Sequence, residues 1–270
     1  MKTAAQGFTL IELLVAVALA LIVLFAASNL LISSSGSATN LQARNDLLQE
    51  GQIAMNYVAA NVREAAYVYP NGAALNLGGG YTTARPGGGS WVVGNASAPI
   101  LAFIRSPRVV TGAPCLNATT GAIDNENACY KFMAYYPVLR SGWVSNATGQ
   151  NNPGVDAANA NRWLLVEYTR NLPSNAPPAL SSLGSLDVSG GSGKLLLDYV
   201  QPAVTNLPQL FTIQADNPQT PGNVRVTLNL SLSRLASGKE VNIPARTSAD
   251  PTTWIQALSA APRNIGTLPP

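Results

Sequence analysis

Histidine is missing from this chain of 270 residues, charged residues make up only 11% of it, and no proline stands before Pro70. Each absence excludes something. Without imidazole there is no Ser-His or Cys-His nucleophile and no histidine metal ligand. The 16 basic and 13 acidic residues leave a net charge of +3 with no run of Lys or Arg, so the electrostatic footprint of a dedicated nucleic-acid binder is lacking. Two cysteines are too few and too isolated for a zinc site. The carboxylates Asp124, Glu126, Asp156, Glu167, Asp187, Asp198 and Asp216 show no calcium-loop spacing and read as solvated turn residues. "SGGSGKL" at 189–195 fails as a phosphate loop at Val188 and Leu195, and Ser192 lies in no Gly-x-Ser-x-Gly elbow, so the stretch reads as a flexible loop. No catalytic residue, metal or cofactor is read from the sequence, and the chain is not expected to be an enzyme.

What is present falls into two parts. From Leu10 to Ile32 the only strongly polar residues are Glu12, Ser28 and Asn29. At 1.5 Å per residue that stretch makes a helix of roughly 35 Å, enough to cross hydrocarbon. Lys2, the only basic residue on the N-terminal flank, places the N-terminus in the cytoplasm and the bulk of the chain across the membrane. A secretory signal peptide is the alternative, with "FAASNLLISSSG" supplying the small residues of a cleavage site. That alternative leaves Glu12 unexplained. A carboxylate near the edge of an apolar span costs about 1–3 kcal/mol and needs a partner, yet no Lys or Arg lies within a turn of it. Cleavage after Gly7 would create one, by giving Phe8 a free ammonium four residues before Glu12, in cis or in a neighbouring helix.

At these residues the sequence resembles type IV prepilins and type II secretion pseudopilins: a short basic leader ending in Gly7, then Phe8, then "TLIELL" with Glu12, then the long apolar helix. The resemblance implies that a membrane aspartyl peptidase removes the leader and methylates Phe8, and that Glu12 pairs with the N-terminus of an adjacent subunit during filament assembly. It implies other pilin or pseudopilin subunits, the prepilin peptidase and the inner-membrane assembly platform as partners. It also implies a single-pass inner-membrane location with a periplasmic ectodomain, followed by a place in a pilus or pseudopilus that can reach the cell surface.

Beyond the membrane segment, apolar residues at Leu41, Leu48, Met55, Val58, Val62, Ala65 and Tyr69 mark one helical stripe, which predicts an amphipathic continuation of the helix covering a sheet. "SSSGS" at 33–37 is expected to loosen it. The reading is therefore α+β and pilin-like: leader 1–7, transmembrane helix 8–32, amphipathic helix 33–69, and a β-rich globular domain over 70–270 with an antiparallel sheet and large surface loops at 78–90, 145–161 and 173–193. Strand-like runs stand at 91–93, 100–105, 129–136, 162–169, 194–200 and 210–213. "NVRVTLNLSLSRL" alternates Val224, Val226, Leu228, Leu230 and Leu232 with polar residues, as a strand with one wet face does. "ADPTTWIQALSAAP" reads as a short helix with Asp250 as its N-cap. Cys115 and Cys129, in a turn-rich stretch beyond a membrane anchor, are expected to form a disulfide, with two free buried thiols as the alternative.

Length, element order and "PRNIG" near the C-terminus resemble the larger minor pilins and pseudopilins of the PilW or J type, which implies a low-copy subunit near a filament tip. Two functions follow: a structural subunit that starts or caps a filament for pilus assembly, secretion or DNA uptake, or a filament-associated binding module. In the second, loops carrying Arg105, Arg108, Arg140, Trp91, Tyr135, Tyr136 and Trp143 contact DNA or a surface by stacking and phosphate pairing.

Overall fold

The helix that opens the chain starts at a reciprocal cap. Thr9 holds the N-cap position, its hydroxyl accepting from the backbone N–H of Glu12 while the Glu12 carboxylate accepts from the backbone N–H of Thr9. From there a single helix, α1, runs over Leu10–Arg63, in a computed structural model that describes residues 9–109, 114–174, 176–201, 208–215, 223–246, 250 and 255–269. "SSSGS" does not loosen it. The helix runs through it unbroken, and the hydroxyls of Ser37 and Thr39 donate to the carbonyls of Ser33 and Ser35 one turn back.

The buried face of α1 begins at Ala43 and includes Leu47, Gly51, Ala54, Met55, Val58 and Val62. Leu41, placed on the stripe by its spacing, is 62% exposed, because the helix has not yet reached the sheet there. At Gly51 the helix and the sheet are close: a Cβ at this position would stand 3.0 Å from Cδ1 of Leu232. A glycine inside a helix costs about 1 kcal/mol against alanine, and here that cost is offset by letting the helix axis lie closer to the sheet.

The helix stops at Arg63 rather than running on to 69. Ala65–Val68 is a strand, β1. Contacts from far away in sequence hold this end: β1 pairs with Phe103–Arg105, the backbone N–H of Arg263 donates to the Arg63 carbonyl, and the N–H of Ser106 and the side-chain amide of Asn264 donate to that of Glu64. The C-terminal "PRNIG" segment thus caps carbonyls that the helix itself leaves unpaired.

The strands that follow are β2 (Ala74–Leu75), β3 (Trp91–Val92), β4 (Leu101–Arg105), β5 (Lys131–Leu139), β6 (Trp163–Asn171), β7 (Ser192–Val200), β8 (Phe211–Ala215), β9 (Val224–Leu230), β10 (Leu232–Ala236), β11 (Lys239–Ile243) and β12 (Gln256–Ala260), with a short helix α2 (Arg140–Val144) after β5. Among the described residues, β1 and six of these form one sheet in the order β1-β4-β5-β6-β7-β10-β11, three more form β12-β9-β8, and β2 pairs with β3. All pairings among the described residues are antiparallel. The long helix laid on an antiparallel ectodomain makes the fold α+β, with the core between them.

Three readings of the sequence change here. The alternating run from Val224 is not one strand: it breaks at Ser231, and its halves belong to different sheets. Val224, Val226, Leu228, Leu230 and Leu232 are buried, but so are Asn229, Ser231 and Ser233, because the chain is covered on both sides where it changes sheet. Gln256–Ala260 is a strand on the edge of β9 rather than a helix; Pro251–Trp254 lie outside the described residues. Ser192–Lys194, read as flexible loop, begins β7, and the backbone N–H of the preceding Gly191 donates to the Tyr168 hydroxyl at 2.7 Å.

Cys115 and Cys129, both buried, are joined in a disulfide. In the chain-entropy account, closing a loop of about 15 residues contributes about 3 kcal/mol. Replacing both by Ser should therefore lower the unfolding midpoint by roughly 6–12 °C. Alkylation of the wild-type protein purified without reductant should find no free thiol; two alkylatable thiols would refute the bond.

Candidate functional site

Residues Leu10–Ile32 are exposed along their whole length. Large side chains point outward on every side of the helix, with Leu13 61%, Val17 50%, Leu21 63%, Phe25 71% and Leu30 71% exposed. A helix that is apolar all round must be covered by lipid or by other helices. Among the described residues it is the one helix long and apolar enough to cross a membrane, and it lies near the N-terminus. The polar side chain of Ser28 is accommodated by donating to the Leu24 carbonyl at 2.8 Å.

At the start of this helix sits Glu12. Its Oε2 accepts from both the backbone N–H and the hydroxyl of Thr9, each at 2.9 Å, while the Glu12 N–H donates back to Thr9 Oγ1 at 3.3 Å. The sequence signal for this local role is the pattern Thr-x-x-Glu, a capping-box signature. It gives the carboxylate two donors within its own chain. Gly7 and Phe8, the residues proposed for processing, lie outside the described residues.

The side chains read as a nucleic-acid or surface platform are elsewhere and are mostly inaccessible. Trp91, Tyr135, Tyr136, Trp143, Arg105 and Arg140 are all buried. The aromatics fasten loops instead: Trp91 Nε1 donates to the Thr83 carbonyl at 2.8 Å, Tyr136 OH to that of Thr82 at 2.6 Å, and Trp143 Nε1 to that of Asn151 at 2.7 Å. The long loops at 78–90 and 145–161 are therefore tied to the core rather than free at the surface.

Arg105 and Tyr135 join the helix to the sheet. Arg105 Nη1 donates to Asn61 Oδ1 (3.2 Å), Asn61 Nδ2 to the Tyr135 hydroxyl (3.0 Å), and Tyr135 to Glu167 Oε2 (2.8 Å). Burial, reinforced by Glu167, pushes the Tyr135 hydroxyl far above its ordinary pKa, so it remains a donor. Arg108 is exposed, and its guanidinium is taken by Glu64, with Nε 3.0 Å from Oε2.

The carboxylates also need correction. Glu167 lies in β6 and Asp198 in β7, each hydrogen-bonded to a partner from another element rather than solvated in a turn. Asp156 accepts from Tyr199 and Asn159. Asp216 lies outside the described residues. No group of His, Cys, Asp and Glu suited to a metal occurs among the described residues.

An exposed apolar helix with a carboxylate in its first turn, at the N-terminus of an α+β domain, fits a membrane-anchored protein. Residues 2–28 match the prokaryotic N-terminal methylation motif, so the chain carries the type IV prepilin-like signal. That motif implies association with other pilins and with the prepilin peptidase. Neither the search of curated proteins nor that of solved structures found a match.

Proposed function

We propose that the chain is a minor pilin or pseudopilin. Prepilin peptidase cuts it after Gly7, removing the leader 1–7, and Phe8 is methylated. Residues 8–32 hold it in the inner membrane with the N-terminus cytoplasmic and the ectodomain periplasmic. It then enters a type IV pilus-like filament, which it helps to start or cap, in the service of pilus assembly, secretion or DNA uptake.

The observation that carries this reading is the prepilin-like signal joined to a helix exposed on every apolar face with Glu12 in its first turn. An apolar helix alone would serve as any anchor. The carboxylate adds a demand for a cation at the same depth in the membrane, and the freed ammonium of Phe8 on a neighbouring subunit meets that demand. Glu12 is then a docking residue as well as a cap.

Mass spectrometry of the N-terminal peptide tests the proposal. The mature chain should begin with N-methylated Phe8. A chain beginning near Ser28 or Ser33 would make this a secreted protein and remove the filament reading.

A further inference from the structure

The β10–β11 hairpin closes through Ser237 and Gly238, both at positive φ (46° and 74°), a two-residue turn that leaves the tip little freedom. The hairpin packs beside α1, and its tip lies at the height where the apolar stretch ends. Leu31, Ile32, Ser33 and Asn40 form one wall of a groove of about 610 Å³, and Ser237 and Lys239 form the other.

The helix wall changes chemistry inside this groove. Leu31 and Ile32, 70% and 72% exposed, are the last large apolar residues of the span. Above them the hydroxyls of Ser37 and Thr39 are spent on carbonyls of their own helix. A stretch from Leu10 to Ile32 matches a hydrocarbon layer of roughly 30 Å, which puts the groove at the level of lipid headgroups.

Lys239 is the cation at that level. Its neighbour Glu240 does not neutralise it, because Glu240 Oε1 already accepts from Ser233 Oγ at 2.7 Å and Arg162 Nη2 at 3.0 Å. Among the described residues no carboxylate forms an ion pair with Lys239. A lysine with an apolar stem beside the end of a membrane span extends its ammonium to lipid phosphate.

We propose that this groove seats a phospholipid headgroup of the leaflet facing the ectodomain, with the Lys239 ammonium on the phosphate and the acyl chains along Leu31 and Ile32. The proposal rests on residues 8–32 spanning the membrane. It gives the ectodomain a second attachment besides α1, and so sets its tilt on the bilayer before a filament takes it up.

The test uses the full chain in nanodiscs of phosphatidylglycerol and phosphatidylethanolamine, photolabelled in parallel by a headgroup diazirine lipid and an acyl-chain diazirine lipid, with labelled residues found by mass spectrometry. Headgroup label is expected on 33–40 and 237–239, and acyl label within 10–32. Lys239→Gln should lower headgroup labelling of 237–239 about fivefold and leave acyl labelling unchanged. Turn labelling that is absent, or equal in the variant and wild type, with acyl labelling in place, overturns the headgroup site alone. Absence of acyl label from 10–32 overturns the membrane reading and the site with it.

Discussion

Glu12→Val and Glu12→Gln should both reach the membrane and lose their leader normally, yet fall at least tenfold in sheared filaments. Removing a carboxylate from an apolar span eases insertion, so membrane level should not drop. Docking is a different matter, since a neutral side chain gives up the attraction to an ammonium that a low-dielectric surrounding strengthens. The two variants separate the cap that Glu12 forms with Thr9 from the docking charge proposed for it. Gln at the third helical position keeps the capping box with Thr9, whereas Val abolishes it at a cost of about 1 kcal/mol to the helix start. Quantifying the protein in membranes and in sheared filaments decides between them. Failure of Val with normal incorporation of Gln would make Glu12 a cap and not a docking charge. Normal incorporation of both would remove it from assembly altogether, and loss of either from membranes would place its role before assembly.

Arg140→Met should cost the ectodomain about 3–5 kcal/mol, the penalty for stripping a buried ion of its counter-ion. Arg140 begins α2 and is 2% exposed at its side chain; its Nε stands 3.0 Å from Oδ2 of Asp198, itself 12% exposed. Its Nη2 donates to the Gly154 carbonyl at 2.8 Å, so one guanidinium ties β7 to the long loop after α2. Burial pushes the Asp198 carboxyl up from its ordinary value while Arg140 pulls it back.

Without Arg140 the largest downward pull is gone and only the backbone N–H of Tyr199 still opposes burial, so folded Asp198, whose pKa is already raised in the wild type, holds its proton more tightly still. The variant's stability should therefore fall as pH rises through the folded-state value, and its deficit should be smallest below roughly pH 4, where both states are protonated. Thermal unfolding followed by tryptophan fluorescence should show a midpoint lowered by about 10 °C at neutral pH. Adding Asp198→Leu should recover most of that loss, because the stranded charge goes with it. A shift of Arg140→Met below about 2 °C would show that the pair does not hold this part of the fold.

The N-terminal third shows why some of this was legible in sequence. A helix satisfies its hydrogen bonds within four residues, so the apolar run, its length and the placement of Glu12 are local facts that no packing can change. Most strands were equally visible, since runs such as "CYKFMAYY" and "RWLLVEYT" carry their own bounding turns. The capping box is equally local, since Thr9 and Glu12 stand at its Thr-x-x-Glu spacing.

Contacts across the chain decided the rest. Whether α1 ends at Arg63 or six residues on depends on the β4 edge that takes up Ala65–Val68 and on distant donors to the Glu64 carbonyl, the N–H of Ser106 and the amide of Asn264, 200 residues away. Whether Gln256–Ala260 is helix or strand depends on the open edge that β9 offers it. Arg105, Arg140, Trp91 and Tyr135 have the composition of a binding surface, and only the elements packed over them make them core. A sequence states what each side chain can do, but burial is a property of its neighbours, and strand pairing and layer packing bring those neighbours from positions that no local pattern specifies.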